Sequence, residues 1–323
     1  MDQTSTMNSD ADIPAAAHYN DSNRAFVQVF MAQGTMTFEE AKQVLATIFS
    51  VEDPSKPTLP EDVTIEDFKS YLSAASDALS PFDYEIRSGV HQVSKERVWA
   101  LVNSTSDGAT QLATTRTAEE MAYIKRVLDA MFETYNTPRA EIMGVTSLQA
   151  LKVAKGGSGR SSLGGGGNGD GEASQQPAPA DKGLSTSQAE RLLASLVAEG
   201  WLERSREGWY TLSARALLEL RAWLVVTYNE PDADEDEWQR IKNCEACRAI
   251  VTVGERCANQ DCNVRLHDIC QASYWKTQSA RACPRCRTEW SGRNWVGERA
   301  VTTTEAYNRG KRRSGAEADR GGG

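Results

Sequence analysis

Residues 244–286 read Cys244-x2-Cys247-x9-Cys257-x4-Cys262-x4-His267-x2-Cys270-x12-Cys283-x2-Cys286. All seven cysteines of the 323-residue chain fall in this window. An odd cysteine count packed into one short stretch does not suit a disulfide framework. Adding His267 brings the count to eight, which is two tetrahedral zinc sites with no ligand left over. A two-residue gap lets both thiolates of a knuckle reach one metal, and the wider Cys257–Cys262 gap suits a longer loop. Four protein ligands per ion leave no open position for a metal-bound water, so the zinc reads as structural rather than Lewis-acidic. The window has few aliphatic residues and would need metal to fold. Free, buried thiols are the competing reading, and they leave four ordered pairs unexplained. His18 and His91 have no such company and read as incidental.

The four ligand pairs can alternate between two ions. That cross-brace puts Cys244, Cys247, His267 and Cys270 on one site and Cys257, Cys262, Cys283 and Cys286 on the other. The ligand order fits both variant RING fingers and PHD fingers. PHD fingers usually carry an aromatic residue two positions before the seventh ligand, where this chain has Arg281. RING fingers often have proline after the seventh ligand and tryptophan shortly after the eighth. Cys283-Pro284-Arg285-Cys286 and Trp290 meet both conditions, and the RING-like reading is preferred over residues 241–291.

Upstream, Glu230 to Glu237 holds six acidic residues in eight positions. This marks 229–240 as an acidic linker, expected to be a solvated spacer that keeps the zinc domain apart. Before it, helical and strand patterns alternate twice. In residues 21–107 a helix over Asn23–Gln33 carries Phe26, Val27 and Phe30. The capping box Thr37-Phe-Glu-Glu40 opens a second helix, and Thr64 starts a third bearing Phe68, Leu72 and Leu79. Period-two runs at Tyr84–Ile86 and Val98–Val102 follow, with Ser88-Gly89 and Ser94-Lys95 as turn material. In residues 115–228 Thr117-Ala-Glu-Glu120 caps a helix with Tyr123, Ile124, Val127 and Leu128. A short helix spans Thr146–Ala154, and Ser187-Gln-Ala-Glu190 caps another that stops at Gly200. A hairpin about Arg206-Glu207-Gly208 and one closing helix from Ser213, bearing Leu217, Leu220, Trp223 and Leu224, complete the copy. Three helices followed by a ribbon, twice, predict tandem winged helices. The fold class is thus α+β and multi-domain: two winged-helix domains, then a small two-zinc cross-brace domain.

Residues 156–171 hold nine of the 24 glycines. They lack the Lys-Ser/Thr of a phosphate loop, so 156–183 reads as a disordered insertion within the second winged helix, or alternatively as an interdomain linker. Residues 1–20 and 292–323 are expected as disordered arm and tail, the tail carrying a basic triplet, Lys311-Arg312-Arg313, that is a weak nuclear-import signal. Met1–Asn20 has no apolar core of a secretory signal, and Ala214–Tyr228 is too short and too charged to span a bilayer. An intracellular, reducing compartment with no membrane contact is expected. Against 45 Asp plus Glu, 36 Lys plus Arg leave a formal charge of −9, which argues against a general nucleic-acid coat. The helix after Thr186 offers only Arg191 against Glu190 and Glu199, favouring a protein interface over direct DNA binding.

Tandem winged helices, an acidic spacer and a variant RING, in this order, resemble the RING-bearing non-SMC element 1 family of the Smc five/six DNA-repair complex. The resemblance covers residues 23–290. It is carried by Asn23-Arg-Ala-Phe-Val-Gln-Val-Phe-Met, Glu199-Gly-Trp-Leu, Tyr210-Thr-Leu-Ser213 and the eight-ligand finger; the glycine-rich insertion departs from the family outline. The resemblance implies a nuclear subunit whose winged helices bind a MAGE-type partner together with a kleisin subunit. It implies a RING-type ubiquitin ligase role in DNA repair and recombination, with no covalent intermediate. By the same resemblance, Ala246, Trp275, Pro284 and Arg287 would dock a ubiquitin-conjugating enzyme. A larger aliphatic residue is usual at the position of Ala246, so the intrinsic activity implied is weak. A non-catalytic zinc scaffold and a PHD-like chromatin reader remain the alternatives.

Overall fold

The computed structural model describes residues 19–104, 115–155, 183–234 and 237–309. Nearly all of the expected N-terminal arm and glycine-rich insertion, and the tail from 310 with its basic triplet, lie outside the described residues. The chain divides into two compact units, one of residues 1–87 and 99–102, the other of residues 88–98 and 103–323.

The first unit follows the winged-helix order: α1 (Asp21–Gln33), β1 (Thr35–Thr37), α2 (Phe38–Glu52), α3 (Ile65–Leu79), β2 (Tyr84–Val90) and β3 (Arg97–Asn103). Each helix starts where a short polar side chain bonds the backbone N–H of the third helical residue. Asn20, Thr37 and Thr64 do this for Asn23, Glu40 and Asp67, whose side chains accept in return. Helix α1 ends at Gly34, whose φ of 73° is the left-handed cap that glycine adopts at little steric cost. Phe26, Phe30, Met36, Leu45 and Phe68 form a core without solvent contact. Phe68 meets Trp99 nearly edge-on, with ring centroids 4.8 Å apart. The sheet runs β1-β3-β2. Ser88 and Gly89, expected in the turn, lie inside β2, and the turn proper is residues 91–96. Strand β1, one residue after the α1 cap, was too short to register as a periodic pattern.

The second unit contains the second winged helix. Its elements are α4 (Ala118–Asp129), β4 (Asn136–Thr137), β5 (Ala140–Glu141), β6 (Val145–Thr146), α5 (Ser147–Lys152), α6 (Thr186–Ala198), β7 (Leu202–Arg204), β8 (Trp209–Leu212), α7 (Ala214–Glu219) and α8 (Arg221–Tyr228). Strand order β6-β8-β7 repeats the plan of the first copy. Helix α6 is capped by Ser185 with Gln188, not by Ser187 with Glu190; Ser185 is the last extended residue before the helix, so its oxygen reaches the free amides. The expected single closing helix breaks at Leu220 (φ −86°, ψ 1°), which buries its side chain between α7 and α8.

Zinc-window elements follow: β9 (Gly254–Arg256), β10 (Arg265–His267), α9 (Asp268–Lys276), β11 (Trp295–Val296) and α10 (Arg299–Thr302), with strands ordered β10-β9-β11. Two expectations are corrected here. Residues 292–309 are not all disordered tail: β11 pairs with β9, and Gly297 donates its N–H to Glu141 O at 2.7 Å. A Cβ on Gly297 would lie 2.4 Å from Thr252 O, so the chain passes too closely for any other residue. Nor does the acidic stretch hold the zinc domain away. A single buried cluster runs from Tyr123 through Leu224 and Ile241 to Cys283 and Val296.

An ionic knot lies inside this shared core. Glu141, Arg265 and Lys242 are 1%, 0% and 4% exposed. The Glu141 carboxylate accepts from Arg265 Nε at 2.7 Å, from Lys242 Nζ and Trp238 Nε1 at 2.9 Å each, and from the second nitrogen of the Arg265 fork. Arg256 adds bonds to Pro138 O and Arg139 O at 2.9 and 3.2 Å. Burial alone would raise the Glu141 carboxyl, but the bond and charge of Arg265, with those of Lys242, bring it down to about 2. A carboxyl lowered on folding contributes stability above its unfolded-state value, and loses it only as pH falls toward the folded one. Removing one member of a buried ionic network strands the rest, at a cost of about 3–5 kcal/mol. Glu141→Gln is therefore expected to destabilise the second unit by about that amount, equally at pH 9.5 and pH 8.5, an interval above the value of about 7 to which burial lowers Lys242. Denaturant unfolding of the two chains checks this; a penalty that shrinks over the interval would mean the carboxyl is not held ionised.

Candidate metal centre

Eight side chains converge into two groups of four. Cys244, Cys247, His267 and Cys270 form one, and Cys257, Cys262, Cys283 and Cys286 the other, with the ligand atoms of each group within 4.8 Å of one another. This is the alternating arrangement expected from the spacing. No pair is oxidised; the seven cysteines are free thiols.

Local structure explains how each pair is aimed. Cys244–Cys247 and Cys283–Cys286 are knuckles of one design. In both, the N–H of the residue after the second cysteine donates to the first cysteine's carbonyl: Arg248 to Cys244 at 2.9 Å and Arg287 to Cys283 at 3.0 Å. Both arginines sit in the left-handed region, at φ 62° and 61°. The first cysteine's own N–H closes the loop on Ala249 O or Thr288 O, each at 2.8 Å. Between the knuckles, β9 and β10 carry Cys257 to one end of the sheet and His267 to the other. Gly254 is required there, since a Cβ would stand 2.2 Å from Leu266 O across the strand pair. His267 ends β10 and precedes the first turn of α9, on which Cys270 lies.

The first site is oriented by its imidazole. His267 Nδ1 faces Cys247 Sγ at 3.3 Å and Cys270 Sγ at 3.8 Å, while Nε2 lies 3.0 Å from Ile250 O. That carbonyl accepts an N–H, so Nε2 carries the proton and Nδ1 keeps its lone pair for a metal. At the second site, the Thr288 hydroxyl is 3.2 Å from Cys286 Sγ. Burial raises these thiols, but at Cys244 the His267 side chain and backbone N–H outweigh it and bring the group down to about 6. Cys286 likewise comes down to about 6 through Thr288. Burial keeps Cys257 and Cys270 raised. Soft thiolates with one imidazole, closed on all four sides, fit structural zinc. The two ions would supply fold and no open coordination position.

The region 244–286 matches the model of the RING-like domain, and residues 23–220 match the family described as the Nse1 non-SMC component of the SMC5-6 complex. The chain belongs to the Nse1 family. Among Nse1 relatives named non-structural maintenance of chromosomes element 1 homologs, that of Homo sapiens is 23% identical over 270 residues, covering 84% of each chain. That of Xenopus laevis is 25% identical over 275 residues, covering 85% of this chain and 84% of the relative. A solved Nse1-Nse3-Nse4 complex contains a chain of the same fold, with TM-score 0.60, 22% identity and coverage of 84% of this chain and 97% of that one.

Of the remaining singled-out residues, Ala246 and Arg287 are exposed and Trp275 and Pro284 half-buried. Trp275 packs on Trp290, ring centroids 5.4 Å apart, and Arg281 lies 5.9 Å over its ring. His91, read as incidental, is 2.9 Å from Glu203 through Nε2 and has a raised affinity for protons from that bond. Sequence reasoning missed Glu141, Lys242 and Arg265, because a charged residue meant for burial carries no local signal until its partners are known. Metal analysis of the full chain is expected to return two zinc ions and seven reduced thiols. One zinc, or a disulfide, would overturn the cross-brace. Stripping the metal should also increase amide exchange in α4 and α6, which share the zinc domain's core; an effect confined to residues 244–296 would contradict that shared core.

Proposed function

We propose that this chain is a RING-type ubiquitin ligase subunit of a nuclear SMC five/six complex that acts in DNA repair and recombination. The observation that carries the reading is the pair of closed four-ligand groups within a region that matches the RING-like domain. The end of α9 packs within the zinc domain: Tyr274 meets Trp275 with ring centroids 5.0 Å apart, and Trp275 meets Trp290. The resemblance joins Trp275 to Ala246 of the first loop and Pro284 of the second. In this reading these residues seat a ubiquitin-conjugating enzyme, and the Arg287 guanidinium contacts both that enzyme and its ubiquitin. The substrate lysine amine attacks the thioester carbonyl, and the conjugating enzyme's thiol leaves. The chain contributes orientation, since holding reactants in a productive geometry lowers the barrier without a covalent step. Every cysteine is committed to a zinc group, which fits an adaptor role.

A MAGE-type subunit and a kleisin are the partners in this reading. The first unit has a surface suited to the former: an open groove of about 820 Å³ beside α1 and α2, lined by Val29, Val44, Ile48 and Val51. Val51 is 74% exposed although apolar, and unpartnered apolar surface of this kind marks protein contacts. Small Ala246 favours one second reading, a RING that only scaffolds.

Discharge of ubiquitin from a charged conjugating enzyme, with the MAGE-type subunit present, tests the proposal. Arg287→Ala and Trp275→Ala are each expected to slow discharge more than about tenfold, a loss of roughly 1.4 kcal/mol of transition-state stabilisation, with two zinc retained. No discharge by the unaltered chain would leave the scaffold reading. Val51→Glu should abolish co-purification with the MAGE-type subunit while leaving thermal stability unchanged; retained co-purification would move the interface elsewhere.

A further inference from the structure

The turn between β2 and β3 belongs to the second unit and reaches the zinc domain there. It is stiff: His91 exchanges backbone bonds with Lys95 and Glu96, and its Nδ1 accepts from Ser94 N at 2.9 Å while Nε2 meets Glu203. The next residue, Gln92, is half-buried and turns both ends of its amide to residues 250–253. Its Nε2 donates to Ile250 O at 2.9 Å, and its Oε1 accepts from Thr252 N at 3.0 Å, Val253 N at 2.9 Å and the Thr252 hydroxyl at 3.2 Å. One side chain thus pairs with this stretch much as a neighbouring strand would.

The carbonyl it chooses matters. The bridge between Asn243 and Ile250 uses Ala249 O and Val251 N, and leaves Ile250 O to side chains. That oxygen has two lone pairs: one takes Gln92 Nε2, the other His267 Nε2. The imidazole that closes the Cys3His group is therefore held by a carbonyl that Gln92 holds in turn. We propose that Gln92 is a positioning residue for the first zinc site, acting through Ile250 O on the orientation of His267. A group bonded directly to a ligating imidazole, here Ile250 O, typically sets affinity by about 10–100-fold, because it fixes the ring and its tautomer. Gln92 stands one step further out, so its effect falls at the low end. The second site has no link to Gln92 among the described residues. The dependence is then selective: the hairpin controls one ion of the two. The inference needs only the zinc sites and is independent of ligase activity.

Release of zinc from the full, doubly loaded chain to a chromophoric chelator tests this. Gln92→Ala is expected to release one of its two ions about tenfold faster and the other at the unaltered rate. In the cobalt-substituted chain, the faster step should remove the spectrum of a three-thiolate site and leave that of a four-thiolate site. Gln92→Glu keeps an acceptor for Thr252 and Val253 but faces Ile250 O with a second acceptor, so it should release zinc as fast as Gln92→Ala. Unaltered release of both ions, equal acceleration of both, or restoration by Gln92→Glu would each overturn the proposal.

Discussion

One carboxylate holds the larger unit together. Glu141 reaches the core at the end of a two-residue strand and stays charged there because Arg265 and Lys242 surround it. Arg265 also donates to Cys262 O and Val264 O, at 2.6 and 2.7 Å, so its guanidinium ties the winged helix to the stretch between the two metal groups. Buried ion pairs seldom add net stability compared with well-packed apolar residues. Their effect is to penalise every arrangement in which one partner is missing. A zinc domain packed on the winged helix in another register would leave Arg265, Lys242 or Glu141 desolvated without its partners. That penalty discriminates among packed poses, while the shared apolar core favours packing itself.

The rest of the joint follows from this anchor. Arg256 fastens the loop that presents Glu141, and Asn263 donates to Glu237 O at 2.6 Å across the former spacer. Six acidic residues in a row of eight look like a solvated tether when only composition is weighed. Geometry gives a different answer, because Trp238 and Ile241 immediately after that run turn inward.

What could be read without coordinates was whatever repeats locally. Capping boxes at Thr37 and Thr117, the helix start at Thr64, the apolar stripes behind them and the paired metal ligands are local patterns, and they appear where expected. The box read at Ser187, by contrast, lies two residues earlier, at Ser185. Strands β1, β6 and β11 were invisible, being too short to show a period and having no hairpin turn beside them to mark them. Their existence depends on a partner strand far along the chain. Gln92 is the sharpest instance. Within its turn it is an unremarkable polar residue, and only Thr252 and Val253, some 160 positions later, give it a role.

The closing strand β11 has a consequence for synthesis. The second winged helix emerges from the ribosome with Glu141 already in place, yet Arg265 and the glycine at 297 are translated much later. Until residue 297 has been made, the β9 edge is unpaired and Thr252 O has no chain passing over it. Domains ordinarily complete themselves in the order they are made. Here the earlier domain waits for the later one, so the nascent chain carries an incomplete core, with Glu141 lacking Lys242 and Arg265, until the last quarter of the sequence is made.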